Sequence, residues 1–108
     1  ETDQLFGMKI LKKMKKTAFL INTSRGKVIN EKDLVTALKK KTIAGAGLDV
    51  FEIEPINKKH PFVKLPNIVL APHIGSSTKE TRIKMAEITV ENLDLGMKDK
   101  KPIYSVGY

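Results

Sequence analysis

Hydrophobic and polar positions divide this chain into segments of two kinds. Residues 17–22 (T-A-F-L-I-N), 43–51 (I-A-G-A-G-L-D-V-F) and 68–71 (I-V-L-A) are short apolar runs with polar flanks. Continuous runs of that length predict strands buried on both faces, as in a parallel sheet. The segments between them have helical spacing. In residues 4–14, Leu5, Phe6, Met8, Ile10, Leu11 and Met14 recur at roughly helical steps, with Gly7 as a weak point, which predicts a short helix or a pair of helical turns ending in lysines. After a short extended piece over 27–29, Asn30 is placed to cap a helix whose Asp33 suits the positive end and whose Leu34, Ala37 and Leu38 form one apolar side. Ser77 and Glu80 make a capping-box pattern. Ile83, Ala86, Val90, Leu93 and Met97 follow at steps of three and four, predicting a helix that runs to about Gly96, a residue suited to ending it. Residues 52–66 are polar and proline-bounded, and predict a long surface loop with one helical turn. His60, among the lysines of that loop, reads as an exposed loop residue with nothing nearby in the sequence to perturb it.

Three such strands with helices between them imply an α/β fold built on a parallel sheet with flanking helices. At 108 residues with 41% hydrophobic content and no Trp, the chain has the length of one domain with a modest, aliphatic core. Its opening, E-T-D-Q-L-F without a Met, reads as the interior of a longer protein. The absence of Cys excludes disulfides and thiolate metal sites and fits a reducing cytoplasm. No apolar run approaches the ~20 residues that span a bilayer, so a soluble protein without a membrane partner is expected. The net charge of +8 comes mainly from lysine clusters, and only two of the twenty basic residues are Arg. Arg-poor clusters at element ends, with almost no aromatic neighbours, predict solvated surfaces and no nucleic-acid partner.

Open sheets of this kind bind ligands beyond the carboxyl ends of their strands. Those ends hold Thr23, Ser24 and Arg25 on the first strand, residues 49–54 on the second and residues 73–76 on the third. A lone His after a strand is commonly structural. Here an Arg and several carboxylates share its edge, and the types complement one another. Arg offers a fork for a carboxylate or a polarised carbonyl oxygen, and a carboxylate beside a His favours the protonated ring, hence a proton donor. That set suits reduction of a keto acid, or proton transfer next to a carbonyl. No nucleophile-elbow spacing supports acyl transfer, and two isolated histidines make no zinc set. The G-A-G-L-D-V string lies within a strand and has Val50 at the third position, so it is no phosphate-binding fingerprint.

Three strings, L-I-N-T-S-R-G, A-G-A-G-L-D-V-F-x-x-E-P and L-P-N-I-V-L-A-P-H-I-G-S-S-T, in this order and at these separations, resemble the C-terminal part of the NAD(P)-dependent D-2-hydroxyacid dehydrogenases. The resemblance covers nearly the whole chain. It is strongest to glyoxylate/hydroxypyruvate reductases, with phosphoglycerate dehydrogenases of serine synthesis close behind and a non-catalytic NAD-binding relative as a further alternative. It implies part of a Rossmann-type sheet in an incomplete nucleotide-binding domain, residues 1–77, followed by a crossover helix and tail toward a substrate domain, residues 78–108. It also implies that Arg25 binds the substrate's carboxylate and keto oxygen, that His73 protonates the carbonyl oxygen, and that Glu54, directly before Pro55, holds and tunes His73. Asp49 would bind the nicotinamide carboxamide. Thr23, Ser24 and Arg25, with His73, Ile74, Gly75 and Ser76, would line the NAD or NADP. The substrate would be a small 2-keto or 2-hydroxy acid and the intact protein a cytoplasmic homodimer. Family members carry a G-x-G-x-x-G turn that lies nowhere in residues 1–108, so this chain alone is expected to be inactive.

Overall fold

Residues 2–105 are described by a computed structural model. Three parallel strands, β1 (Phe19–Asn22), β2 (Gly45–Leu48) and β3 (Ile68–Leu70), lie side by side in chain order. Phe19 pairs with Gly45, and Ile21, Gly47 and Val69 align across the sheet. On one face Leu20, Ala46 and Leu48 are buried in a core shared with Leu34, Ala37 and Leu38 of helix α2 (Glu31–Lys39). Ile29, Ile43 and Phe62 complete it.

The opposite face differs from the expectation of strands buried on both sides. Phe19, Ile21 and Val69 are 68%, 66% and 72% exposed. Gly45 and Gly47 give β2 no side chains on that face; a Cβ at Gly45 would lie 2.9 Å from the Phe19 ring, which lies across it. All three strands are also shorter than their apolar runs. Those runs extend beyond the paired residues into buried connections, such as Ile43 before β2 and Val50 after it.

Helix α2 forms as its sequence dictates. The Asn30 side chain accepts from the Asp33 amide at 3.0 Å, filling one of the donors a helix N-terminus leaves open. Helix α1 is only Met8–Leu11, a single turn where residues 4–14 predicted more. Phe6 instead bridges to Ile29 in parallel pairing, and Gln4 has φ 52°. The amide of Met8 is taken by the Asp33 carboxylate at 2.7 Å. Residues 27–29 are likewise not simply extended, since Gly26–Val28 form a 3-10 turn. The loop after β2 contains a single 3-10 turn, Pro61–Lys64, which buries Phe62. Asn67 then ties the start of β3 to its neighbours, donating to the carbonyls of Leu38 and Ala44 at 3.2 Å each.

The chain forms two compact units, one ending at Ile74 and one beginning at Gly75. The second carries α3 (Lys79–Met97), capped by Thr78, whose hydroxyl accepts from the Thr81 amide. Ser77, the expected cap, accepts instead from Arg82. Gly96 lies inside the helix and does not end it. The left-handed residue that follows is Asp99, φ 52°, while the amide of Lys100 closes back on the Leu95 carbonyl. No helix among the described residues is long and apolar enough to cross a membrane.

Candidate active site

At the end of β1 the apolar run stops in Asn22, which is 7% exposed and spends its side chain on the next three residues. Its Oδ1 accepts from the Ser24 amide at 3.0 Å and the Ser24 hydroxyl at 2.9 Å, while its Nδ2 donates to the Arg25 carbonyl at 2.9 Å. This is the turn chemistry that Asn supplies locally, and it fixes Thr23, Ser24 and Arg25 as a tight corner. Arg25 Nη1 donates to the Ser24 carbonyl at 2.7 Å. The next residue must be glycine, because a Cβ at Gly26 would overlap the Phe51 carbonyl and the Glu52 amide nitrogen. The Arg25 corner therefore rests directly on the 51–52 peptide.

From β2 the chain passes through Asp49, also 7% exposed. Its amide donates to the Asn22 carbonyl at 2.9 Å, and its Oδ1 accepts from the Ile74 amide at 2.8 Å. Asp49 thus links the ends of all three strands. Two residues further on, the Phe51 amide donates to Glu54 Oε1 at 2.9 Å. The other Glu54 oxygen lies 2.7 Å from His73 Nδ1.

His73 reaches that position after β3, whose exit is held by the Ala71 amide donating to the Leu48 carbonyl at 2.8 Å. Its backbone has φ 56°, the left-handed region that non-glycine residues seldom occupy and that recurs at functional sites. With Nδ1 turned to a carboxylate, the proton on that nitrogen is fixed and Nε2 is the ring nitrogen not committed to Glu54. Glu54 is held below the ordinary carboxylate range, chiefly by the His73 hydrogen bond, then by the Phe51 amide, with smaller contributions from the charges of His73 and Arg25 opposing a modest desolvation.

Arg25, Phe51, Glu54 and His73 line one cleft of about 580 Å³. The same His73–Glu54 pair, with Phe51, Pro55, Ile56 and Pro72, also lines an apolar pocket of about 370 Å³. The carboxylate beside His73 is Glu54, preceding Pro55; Glu52 instead gives its amide to Glu31 Oε1 at 2.9 Å. Thr23, Ser24, Arg25, Asp49, Glu54, His73 and Ile74 all belong to the first unit, whereas Gly75 and Ser76 open the second. Among the described residues no group of three or more His, Asp or Glu side chains is placed to hold a metal ion.

Four residues of the site's framework escaped the sequence reading. Asn22 had a local signal, a polar residue ending an apolar run before Thr-Ser. Gly26 and Glu31 act on residues more than twenty positions away, and nothing local marks them. His60 is partly buried, with Nε2 3.2 Å from Glu31 Oε2 and its ring 4.6 Å from that of Phe62. It is not the exposed loop residue expected.

Residues 1–75 match the family model of the D-isomer specific 2-hydroxyacid dehydrogenase, NAD binding domain. The chain is 57% identical over 93 residues to a glyoxylate reductase of Korarchaeum cryptofilum, covering 86% of this chain and 28% of that protein. It is 53% identical over 102 residues to a glyoxylate reductase of Thermofilum pendens, covering 94% of this chain and 30% of the relative. Among solved structures, the NADPH-dependent glyoxylate/hydroxypyruvate reductase of Sinorhizobium meliloti, in complex with citrate, superposes with a TM-score of 0.91 at 36% identity, over 99% of this chain and 34% of that one. The chain thus spans about a third of the length of the proteins it matches. A parallel sheet with its polar residues gathered at the carboxyl edge, together with these matches, shows that the chain belongs to the D-isomer specific 2-hydroxyacid dehydrogenases, as part of their NAD-binding domain.

Proposed function

We propose that this chain supplies the catalytic edge of an NAD(P)-dependent reductase that converts a small 2-keto acid, glyoxylate or hydroxypyruvate, into the D-2-hydroxy acid. The observation that carries the reading is the 2.7 Å contact between His73 Nδ1 and Glu54 Oε2 in a cleft that Arg25 also lines. Glu54 fixes the proton on Nδ1, so Nε2 is the atom that delivers a proton to the keto oxygen. Arg25 binds the substrate carboxylate and polarises that oxygen. The residues present fit the nicotinamide end of the cofactor. The Asp49 carboxylate, at the meeting point of the three strands, accepts from the Ile74 amide and is the kind of acceptor that a carboxamide NH2 pairs with, and the Thr23 and Ser24 corner carries hydroxyls at the same edge. When bound, reduced nicotinamide supplies the hydride for the keto carbon. Ile74, Gly75 and Ser76 complete the proposed cofactor lining.

On this reading residues 1–77 are the C-terminal part of the nucleotide-binding domain, and residues 78–108 lead toward a substrate domain. The intact protein is proposed to be a cytoplasmic homodimer, checked by sedimentation and cell fractionation. The substrate class follows the names of the relatives. The test is nicotinamide absorbance in the full-length protein with glyoxylate, hydroxypyruvate and phosphohydroxypyruvate. His73→Ala is expected to lower kcat by about 10²–10⁴-fold, the usual contribution of a positioned proton donor. Unchanged turnover would overturn the role of His73, and cofactor binding without turnover of any keto acid by wild type would overturn the activity.

A further inference from the structure

Glu31 lies at the first position of α2, away from the cleft wall formed by Arg25 and His73, yet each of its oxygens is engaged. Oε1 accepts from the Glu52 amide at 2.9 Å. Oε2 lies 3.2 Å from His60 Nε2. His60 Nδ1 accepts from the Phe62 amide at 3.3 Å, so the proton of the neutral ring sits on Nε2 and is donated to Glu31. Phe62 is fully buried, and its ring contact with His60 anchors the imidazole to the core. Glu31 is therefore held from one side by α2 and from the other by the core.

What Glu31 holds in turn is the peptide between Phe51 and Glu52. That peptide is pressed by Gly26 on one side, where not even a methyl group fits, and hydrogen-bonded to Glu31 through its amide. The preceding amide, of Phe51, donates to Glu54 Oε1, and Glu54 Oε2 meets His73. Turning the 51–52 peptide about the Phe51 Cα–C bond would shift the chain that runs from it to Glu54, and with it the Glu54 oxygens that meet the Phe51 amide and His73.

Resting on the reductase reading above, we propose that Glu31, braced by His60, is a positioning residue for the reaction: it fixes the 51–52 peptide so that Glu54 is presented to His73. Misplacement of a catalytic pair by fractions of an ångström is costly in rate because the aligned geometry is what the site contributes. The hold on the 51–52 peptide runs through a backbone amide and requires one acceptor oxygen at position 31, while the brace from the His60 Nε2–H requires a second.

The test uses the full-length protein and two readouts. One is the kcat and KM for glyoxylate; the other is the low-field proton resonance of His73 Nδ1–H against a carboxylate, assigned by its loss in His73→Gln. Glu31→Ala is expected to lower kcat by about tenfold with KM within about twofold, and to broaden or remove the resonance. Glu31→Gln, which keeps an oxygen for the Glu52 amide but sets its NH2 against the Nε2–H of His60, is expected to recover both in part, between wild type and Glu31→Ala. Should Ala at this position prevent folding, Glu31→Asp, which withdraws the carboxylate by one methylene, is expected to give the same loss in a folded protein. A folded Glu31→Ala or Glu31→Asp protein with the resonance and kcat intact would overturn the proposal, even if its Tm falls. A wild type that shows the resonance but reduces no keto acid would refute the reductase reading; loss of that resonance in Glu31→Ala would then still support the positioning role.

Discussion

A histidine and a carboxylate 2.7 Å apart are informative because the pair is half open to solvent and built from residues nineteen positions apart. His73 is held in a left-handed backbone conformation, and Glu54 is pinned by the Phe51 amide. Both features constrain the pair to one arrangement. The consequence for Glu54 can be signed. Its pKa is lowered from 4.5 in the folded state, first by the His73 hydrogen bond and then by the Phe51 amide. A carboxylate depressed in this way contributes stability at pH above its unfolded value, and that contribution is lost as pH falls through the folded value. The stabilising part of the difference in Tm between wild type and Glu54→Gln that comes from the lowered Glu54 pKa should therefore be fully present above about 4.5 and shrink below it. A difference that already collapses between neutrality and that value would contradict the lowered pKa. Gly26 makes an independent prediction at the same scale. Gly26→Ala forces a methyl group into the Phe51–Glu52 peptide and should cost roughly 2–4 kcal/mol in denaturant unfolding, as overpacking against backbone does.

Among the elements, α2 was the most legible, since its cap, acidic first turn and apolar side are all local features. Asn30→Ala should cost about 1 kcal/mol through the lost Asp33 cap, with a further loss from its Nδ2 bond to Gln4 Oε1 at 2.6 Å, measurable as a shift in urea midpoint. The strands were legible in place and direction but not in their surroundings. The run L-I-N says that residues 20–22 are apolar or end-capping; it does not say that Ile21 faces outward while Leu20 faces α2. Helix α1 was overestimated because spacing alone cannot report that Gln4 and Phe6 are drawn into backbone bonds with Lys27 and Val28. That Arg25, residues 49–54 and His73 share the carboxyl edge was legible because a parallel sheet brings its strand ends together whatever the loops do; the choice of Glu54 over Glu52, and of Asp49, rested on the family resemblance. The Glu31–His60 brace was not legible, because it depends on how the loop after β2 folds back over the start of α2.

At the scale of the whole molecule the first unit is asymmetric, and the asymmetry predicts where its stability resides. One face of the sheet is packed by Leu20, Ala46 and Leu48 against α2, with Leu34, Ala37 and Phe62 fully buried. The other presents Phe19, Ile21 and Val69 largely exposed around the glycines of β2. Burial of apolar area stabilises only where the area leaves water. Leu48→Ala should therefore cost about 2–5 kcal/mol in the 108-residue chain. The pair Ile21→Thr and Val69→Thr, which keeps β-branched side chains suited to strands, should cost under about 1 kcal/mol, as surface changes do. The same pair should sharply lower binding of an apolar fluorescent dye, since it removes two exposed neighbours that share one register across β1, β2 and β3. Equal destabilisation by Leu48→Ala and by the Thr pair, with dye binding unchanged, would mean that the Ile21 and Val69 face is covered in solution and that the sheet is packed on both sides.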